Sequence, residues 1–230
     1  MNEMISELVM VPTREAVLTG DLVVPGQVPA VVLFAHGSGS SRLSVRNRAV
    51  AAELHKMGLG TLLLDLLTER EERVDATTAE HRFDIPLLSR RLDGALDWLA
   101  REPDTSGLPT GLFGASTGAA AALATAAEHP EKVYAVVSRG GRPDLAGDDL
   151  ARVTAPVLLI VGGNDEVVLD LNREAADRLP SPHEICVIPE ATHLFPEPGA
   201  LEQVAEAAGR WFLTHLEGRA PEGRRTGTTP

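Results

Sequence analysis

The sequence predicts an α/β fold, a mostly parallel central sheet flanked by helices on both faces, and two observations predict it. Six short apolar runs, at residues 30–36, 60–67, 110–115, 133–138, 156–163 and 184–189, are nearly continuous rather than alternating, as in strands covered on both sides. Stretches of helical period lie between them, so each strand leads through a right-handed crossover to a parallel neighbour. Ligands and chemistry in such sheets gather beyond the carboxyl ends of the strands, and the loop leaving each run is where functional residues are expected.

Taken in order, "REAVLTGDLVVPG" (14–26) reads as two short strands turning at Thr19–Gly20, an antiparallel hairpin on the sheet edge. "AVVLFAH" follows, and then a helix whose apolar stripe is Val50, Leu54 and Met57, with Gly58 as its C-cap. The strand "GTLLLDLL" runs into "TEREERVDATTAEHRFDI" (68–85), expected to be a solvated loop on the rim of the site. Asp84 opens the next helix with Pro86 in its first turn, and Leu88, Leu92, Ala95, Leu96 and Leu99 form its buried stripe. "RGGRPDLAGDDLARVTA" (139–155) is too short for a helical lid, so no large lid domain is expected. Leu201, Val204, Ala205, Ala208 and Phe212 mark a last helix. Residues 1–217 are expected to form one domain and 218–230, without apolar periodicity, a disordered tail.

The 230 residues carry a net charge of −12 with no clustered basic stripe, which argues against nucleic acid or an anionic membrane as partner. No apolar run approaches the roughly 20 residues of a membrane helix. The start, "MNEMISELVMVPTRE", lacks the basic-then-apolar order of a secretory signal. A single cysteine, Cys186, excludes an internal disulfide and fits a reducing, cytoplasmic setting; its strand-like surroundings predict a buried, inert thiol. Nothing here separates a monomer from a homodimer.

The most informative stretch is "TGLFGASTGAAAALATAA" (110–127), where an apolar strand meets an alanine-rich helix across one serine, Ser116, between Gly114 and Gly118. A turn this abrupt forces its corner residue to positive φ, and side chains two positions either side would collide, so both are glycine. The strain presents the hydroxyl at a helix N-terminus, where the amide of Thr117 can face an oxyanion. A serine nucleophile needs a base, itself oriented by a carboxylate. Of the seven histidines, His193 follows directly on a strand and opens a loop, whereas His36 heads "HGSGSS" and suits a structural hydrogen-bonding role. Asp165, in the loop after "PVLLIVGG", is the expected acid; Asp65, Glu166 and Asp170 compete for that role. The order Ser116, Asp165, His193 is that of α/β-hydrolases. "HGSGSS" stands where a second oxyanion donor is needed, and Ser38 is named beside Thr117.

On these motifs, and on "SRGGRPDLA", "LLIVGGND" and "ATHLFPEPGALE", the chain resembles the dienelactone hydrolase-related members of the α/β-hydrolase superfamily over residues 30–215. The resemblance implies a covalent acyl-enzyme and no metal or organic cofactor. It carries the nucleophile to Ser116, the acid to Asp165, the base to His193, and the oxyanion donors to Ser38 and Thr117. Dienelactone hydrolases proper use cysteine where this chain has Ser116, so a general ester or thioester substrate stands beside a lactone. Arg139 and Arg142, at another strand end, are expected to hold an anionic substrate group. An acyltransferase, a peptidase or a non-catalytic binding module would share these features. A dinucleotide-binding reading of "GSGSSR" fails because Arg42 stands where the third glycine is required.

Overall fold

The computed structural model describes residues 4–217. Eight strands form one sheet: β1 (Met4–Pro12), β2 (Val17–Pro25), β3 (Val31–Ala35), β4 (Gly60–Leu64), β5 (Thr110–Ala115), β6 (Val133–Arg139), β7 (Val157–Gly162) and β8 (His183–Ile188). Their spatial order is β1-β2-β4-β3-β5-β6-β7-β8. In that order the strands from β4 through β8 run parallel, and β1 and β2 extend the edge in antiparallel pairing. Every residue of β3, β4, β5, β6 and β7 is buried, which is why those runs carry apolar residues on both faces.

Side chains of alternating parity feed two cores. Val31, Leu33 and Leu112 face α3 (Ile85–Leu99) and α4 (Thr117–Glu128), while Phe34, Phe113 and Val137 face α1 (Val45–Lys56) and α6 (Ala200–Glu217). The rings of Phe34 and Phe113 stack 4.7 Å apart at the centre of the second core. α4 is buried along eleven of its twelve residues, which accounts for its alanines: small side chains let the helix lie close on the sheet. α5 (Glu166–Ala176) follows β7. A short 3₁₀ segment, Pro143–Arg152, connects β6 to β7, so no large lid stands over the carboxyl edge among the described residues.

Several sequence expectations need correction. The edge hairpin turns at residues 13–16 and not at Thr19–Gly20, which lie inside β2 opposite Met10 and Val9. Gly20 is there for room: a Cβ would come within 2.8 Å of Leu62 Cδ1. The charged stretch 68–85 is not a solvated loop throughout but holds α2 (Glu69–Thr78), closed at its start by a reciprocal capping box between Thr68 and Glu71. Only Asp75 of α2 is buried; two ion pairs hold the helix, Asp75–Arg82 at 2.6 Å and Glu71–Arg91 at 2.7 Å. α1 caps at Met57, with Gly58 the following residue at φ +81°. Cys186 is only half-buried, although burial still pushes its thiol up. The tail at 218–230 lies outside the described residues.

Candidate active site

The elbow at Ser116 has the predicted geometry: φ +50°, ψ −119°, as the residue between β5 and α4. The flanking glycines are sterically required. A Cβ on Gly114 would stand 2.6 Å from Gly118 O and 2.7 Å from Ala119 N, and one on Gly118 would stand 2.7 Å from the carbonyl carbon of Ala35. Neighbouring strands pin the turn, since Ser116 N–H donates to Arg139 O (3.2 Å) and Ser116 O accepts from Arg142 N–H (3.1 Å).

His193 and Asp165 come from the loops after β8 and β7, adjacent strands on the same edge. They meet at 2.7 Å, His193 Nδ1 donating to Asp165 Oδ2, which leaves Nε2 as the free acceptor of a neutral ring. Gly140, directly beyond β6 at φ +49°, lets the His193 loop approach: a Cβ there would press to 3.2 Å on the His193 carbonyl oxygen, while touching the ring at Cε1 only in ordinary contact, 3.6 Å. The imidazole–carboxylate pair thus sits beside the strand end that pins the elbow. No hydrogen bond joins Ser116 Oγ to the imidazole; catalytic hydrogen bonds in general are often long before substrate binds.

On the opposite side of the elbow lies the loop from His36 to Ser44. Gly37 packs against it so closely that a Cβ on Gly37 would stand 3.0 Å from Ser116 Cβ. The amides of Ser38 and Thr117 donate to no acceptor among the described residues, and both residues line a cavity of about 480 Å³. The loop of His36, Leu66 and Leu67, Leu88 of α3, Glu72, Asp75 and Ala76 of α2, and Arg82 complete its walls. His36 is structural: Nδ1 donates to Gly37 O (2.9 Å), Nε2 accepts Leu66 N–H (3.0 Å), and burial holds its pKa below 6.5. Sequence reasoning missed α2 as a wall; the Thr68-x-x-Glu71 capping spacing was the available signal.

Of the three competing carboxylates, two are engaged elsewhere, and none, Glu166 included, bonds to His193, whose partner is Asp165. Asp65 accepts from Arg42 N–H (2.7 Å) and Arg42 Nη1 (2.8 Å), and Asp170 pairs with Arg173. Neither expected anion-holding arginine lines the cavity. Arg142 is bound by Asp144 through two hydrogen bonds, 2.8 and 2.7 Å. Arg139 turns away beneath Phe195 toward Asn47 Oδ1 (3.2 Å), where burial and the neighbouring Arg46 push its pKa down to about 10.

A mostly parallel sheet with helices on both faces and a strand–serine–helix elbow defines the α/β-hydrolase fold. The profile of the dienelactone hydrolase family matches residues 16–217, and the chain belongs to that family. A crystal structure of a dienelactone hydrolase from Anabaena variabilis is 55% identical, with a TM-score of 0.90, covering 92% of this chain and 98% of that one. Est1E from Butyrivibrio proteoclasticus shares the fold at 17% identity (TM-score 0.76; 91% and 99% covered). Two Mycobacterium tuberculosis proteins, from strains CDC 1551 and H37Rv, both named "Putative phosphoribosyl transferase", are 55% identical over 94% of this chain and 48% of theirs. The chain therefore spans about half the length of these curated relatives.

Proposed function

We propose that the chain is a serine hydrolase that cleaves a small ester, thioester or lactone through an acyl-enzyme. The observation that carries this reading is the convergence of a strained serine, two unoccupied amides and a bonded imidazole–carboxylate pair on one sheet edge. His193 Nε2 takes the Ser116 proton as Oγ attacks the acyl carbonyl, forming the Oγ–carbon bond. The amides of Ser38 and Thr117 receive the oxyanion. Collapse of the tetrahedral species breaks the bond to the leaving alcohol or thiol, which departs with the proton from His193. Water, deprotonated by the same nitrogen, then adds to the acyl carbon and releases the acid and Ser116. Asp165 fixes the Nδ1–H tautomer and offsets the imidazolium charge.

The reaction needs no metal or organic cofactor, and the reading places the protein in the cytoplasm, with a small acyl substrate and neither nucleic acid nor membrane as partner. Recognition of an anionic substrate by Arg142 would require it to exchange Asp144 for that group. An Arg142→Ala variant should then lose rate on acidic esters only, in a comparison of acidic and neutral substrates. The phosphoribosyl transfer in the name of the two mycobacterial relatives belongs to proteins about twice this length; hydrolysis is what this chain's own residues support. The deciding experiment is a screen of esters, thioesters and lactones with fluorophosphonate labelling, using Ser116→Ala as control. Labelling and turnover that vanish in Ser116→Ala are expected, and a full-rate Ser116→Ala protein overturns the assignment.

A further inference from the structure

A second cavity, of about 400 Å³, lies away from Ser116, between the β1–β2 turn and α3. In a chain of net charge −12 it is lined by four arginines, Arg14, Arg90, Arg91 and Arg101. Thr13 of the turn seats directly on Gly94 of α3, where a Cβ would come within 2.7 Å of Thr13 Cγ2, so turn and helix make one rigid wall.

Arg91 is the core of this cleft. Its side chain is 3% exposed; Nη2 donates to Glu71 Oε1 at 2.7 Å, while Nε and Nη1 are buried with no acceptor among the described residues. Buried N–H groups without acceptors are costly. The acids of the cleft all have cationic partners, Asp93 and Asp97 sharing one lysine. Asp93 and Asp97 accept from Lys132 Nζ at 2.6 and 2.8 Å, and Glu15 accepts from Arg90 Nε at 2.8 Å, its other oxygen 3.9 Å from Arg91. Arg14 and Arg101 meet no carboxylate within 4 Å among the described residues. Their field nevertheless reaches Asp97, which is held below its ordinary range by Lys132 first, then by Arg101 and Arg14. A compact cavity with surplus guanidinium charge and unsatisfied planar N–H donors matches a phosphoryl group.

We propose that this cleft binds a phosphate group, free or as the end of a small metabolite, between Arg91, Arg14 and Arg101. The volume exceeds that of phosphate alone and leaves room for a short organic moiety. The site is also connected to the first cavity. Arg91 is shared with Glu71, whose other oxygen accepts Thr68 N–H in the capping box of α2, and α2 walls the cavity beside Ser116. A bound phosphate competes with Glu71 for Arg91 and so acts on that wall. This goes beyond the hydrolase reading and is tested without any turnover.

The experiment is calorimetric titration of the full chain with inorganic phosphate and with glycerol 3-phosphate, at ionic strength held constant with sodium chloride and with acetate as a control. Saturable binding of phosphate but not acetate is expected. It should weaken at least tenfold in an Arg14→Ser/Arg101→Ser double variant, whose changes are on the surface, and in Arg91→Met if that variant folds. Glu71→Gln, by freeing Arg91, should tighten binding several-fold, an outcome that a purely structural role for Arg91 does not produce. Tighter binding of glycerol 3-phosphate assigns the site to a phosphorylated metabolite, and equal binding assigns it to free phosphate. An equal response to acetate, or a parental affinity in the double variant or in Glu71→Gln, overturns the proposal.

Discussion

Ser116 stores strain where the proposed chemistry needs it. A non-glycine residue at φ +50° costs about 1–3 kcal/mol, held in place by the bonds to Arg139 O and from Arg142 N–H. Ser116→Gly should therefore raise stability by about 1 kcal/mol while abolishing turnover, as read by denaturant midpoint and ester assay together. Gly114→Ala forces a methyl into the first turn of α4 and should cost more than about 2 kcal/mol, with loss of soluble, cooperatively unfolding protein as the readout. Asp165→Asn keeps the shape but favours the wrong imidazole tautomer; kcat should fall by about three to four orders of magnitude with the fold intact by circular dichroism. The elbow and its two glycines were legible in the sequence because steric exclusion leaves few residue types that fit. His193 and Asp165 were legible only as residues leaving strands, and their 2.7 Å approach depends on β7 and β8 being neighbours, which spacing along the chain does not encode. The turn of Arg139 away from the cavity and into the interior, toward Asn47 of α1, was not legible, because side-chain direction at a strand end depends on the helix packed beside it.

Among the elements, the buried strands were the easiest to read, since a strand covered on both faces has no polar side. The two misread segments share a cause: their glycines and charges serve packing and tertiary pairing rather than local structure. Gly20 makes room for Leu62, and the true turn is set by Thr13, whose hydroxyl donates to Ala16 O (2.8 Å) and accepts Ala16 N–H (3.2 Å). α2 has no apolar stripe for periodicity to detect; its start is fixed by the capping box and its body by Arg82 and Arg91. Thr68→Ala should cost about 1 kcal/mol and speed amide exchange in residues 69–78 ahead of the rest of the domain, measurable by hydrogen-exchange mass spectrometry.

For the molecule as a whole, His36 links two strand ends through a neutral ring. Its folded pKa lies below the ordinary 6.5 because burial disfavours the cation, so the unfolded chain binds a proton that the fold refuses. The stability this contributes is complete above pH 6.5 and is lost as pH falls through that value toward the lower folded one. His55, half-buried against Thr61, acts in the same direction. The thermal midpoint should fall between about pH 7 and pH 5, and less steeply in His36→Gln than in the parent. The parallel sheet places Ser116, His193 and the cavity at the carboxyl ends of its strands, and the antiparallel β1–β2 pair extends the sheet beside β4, where Asp21 of β2 pairs with Arg42 of the loop from His36 to Ser44.

Because α2 is clasped by charges and not by grease, its grip is set by the solvent as well as by the chain. Added salt screens the partly exposed Glu71 and Arg82 ends of its two ion pairs while leaving the apolar walls at Leu66, Leu67 and Leu88 untouched. One side of the cavity would then yield before the other, and bulkier acyl groups should gain relative to small ones as ionic strength rises, making substrate breadth a quantity the medium can tune.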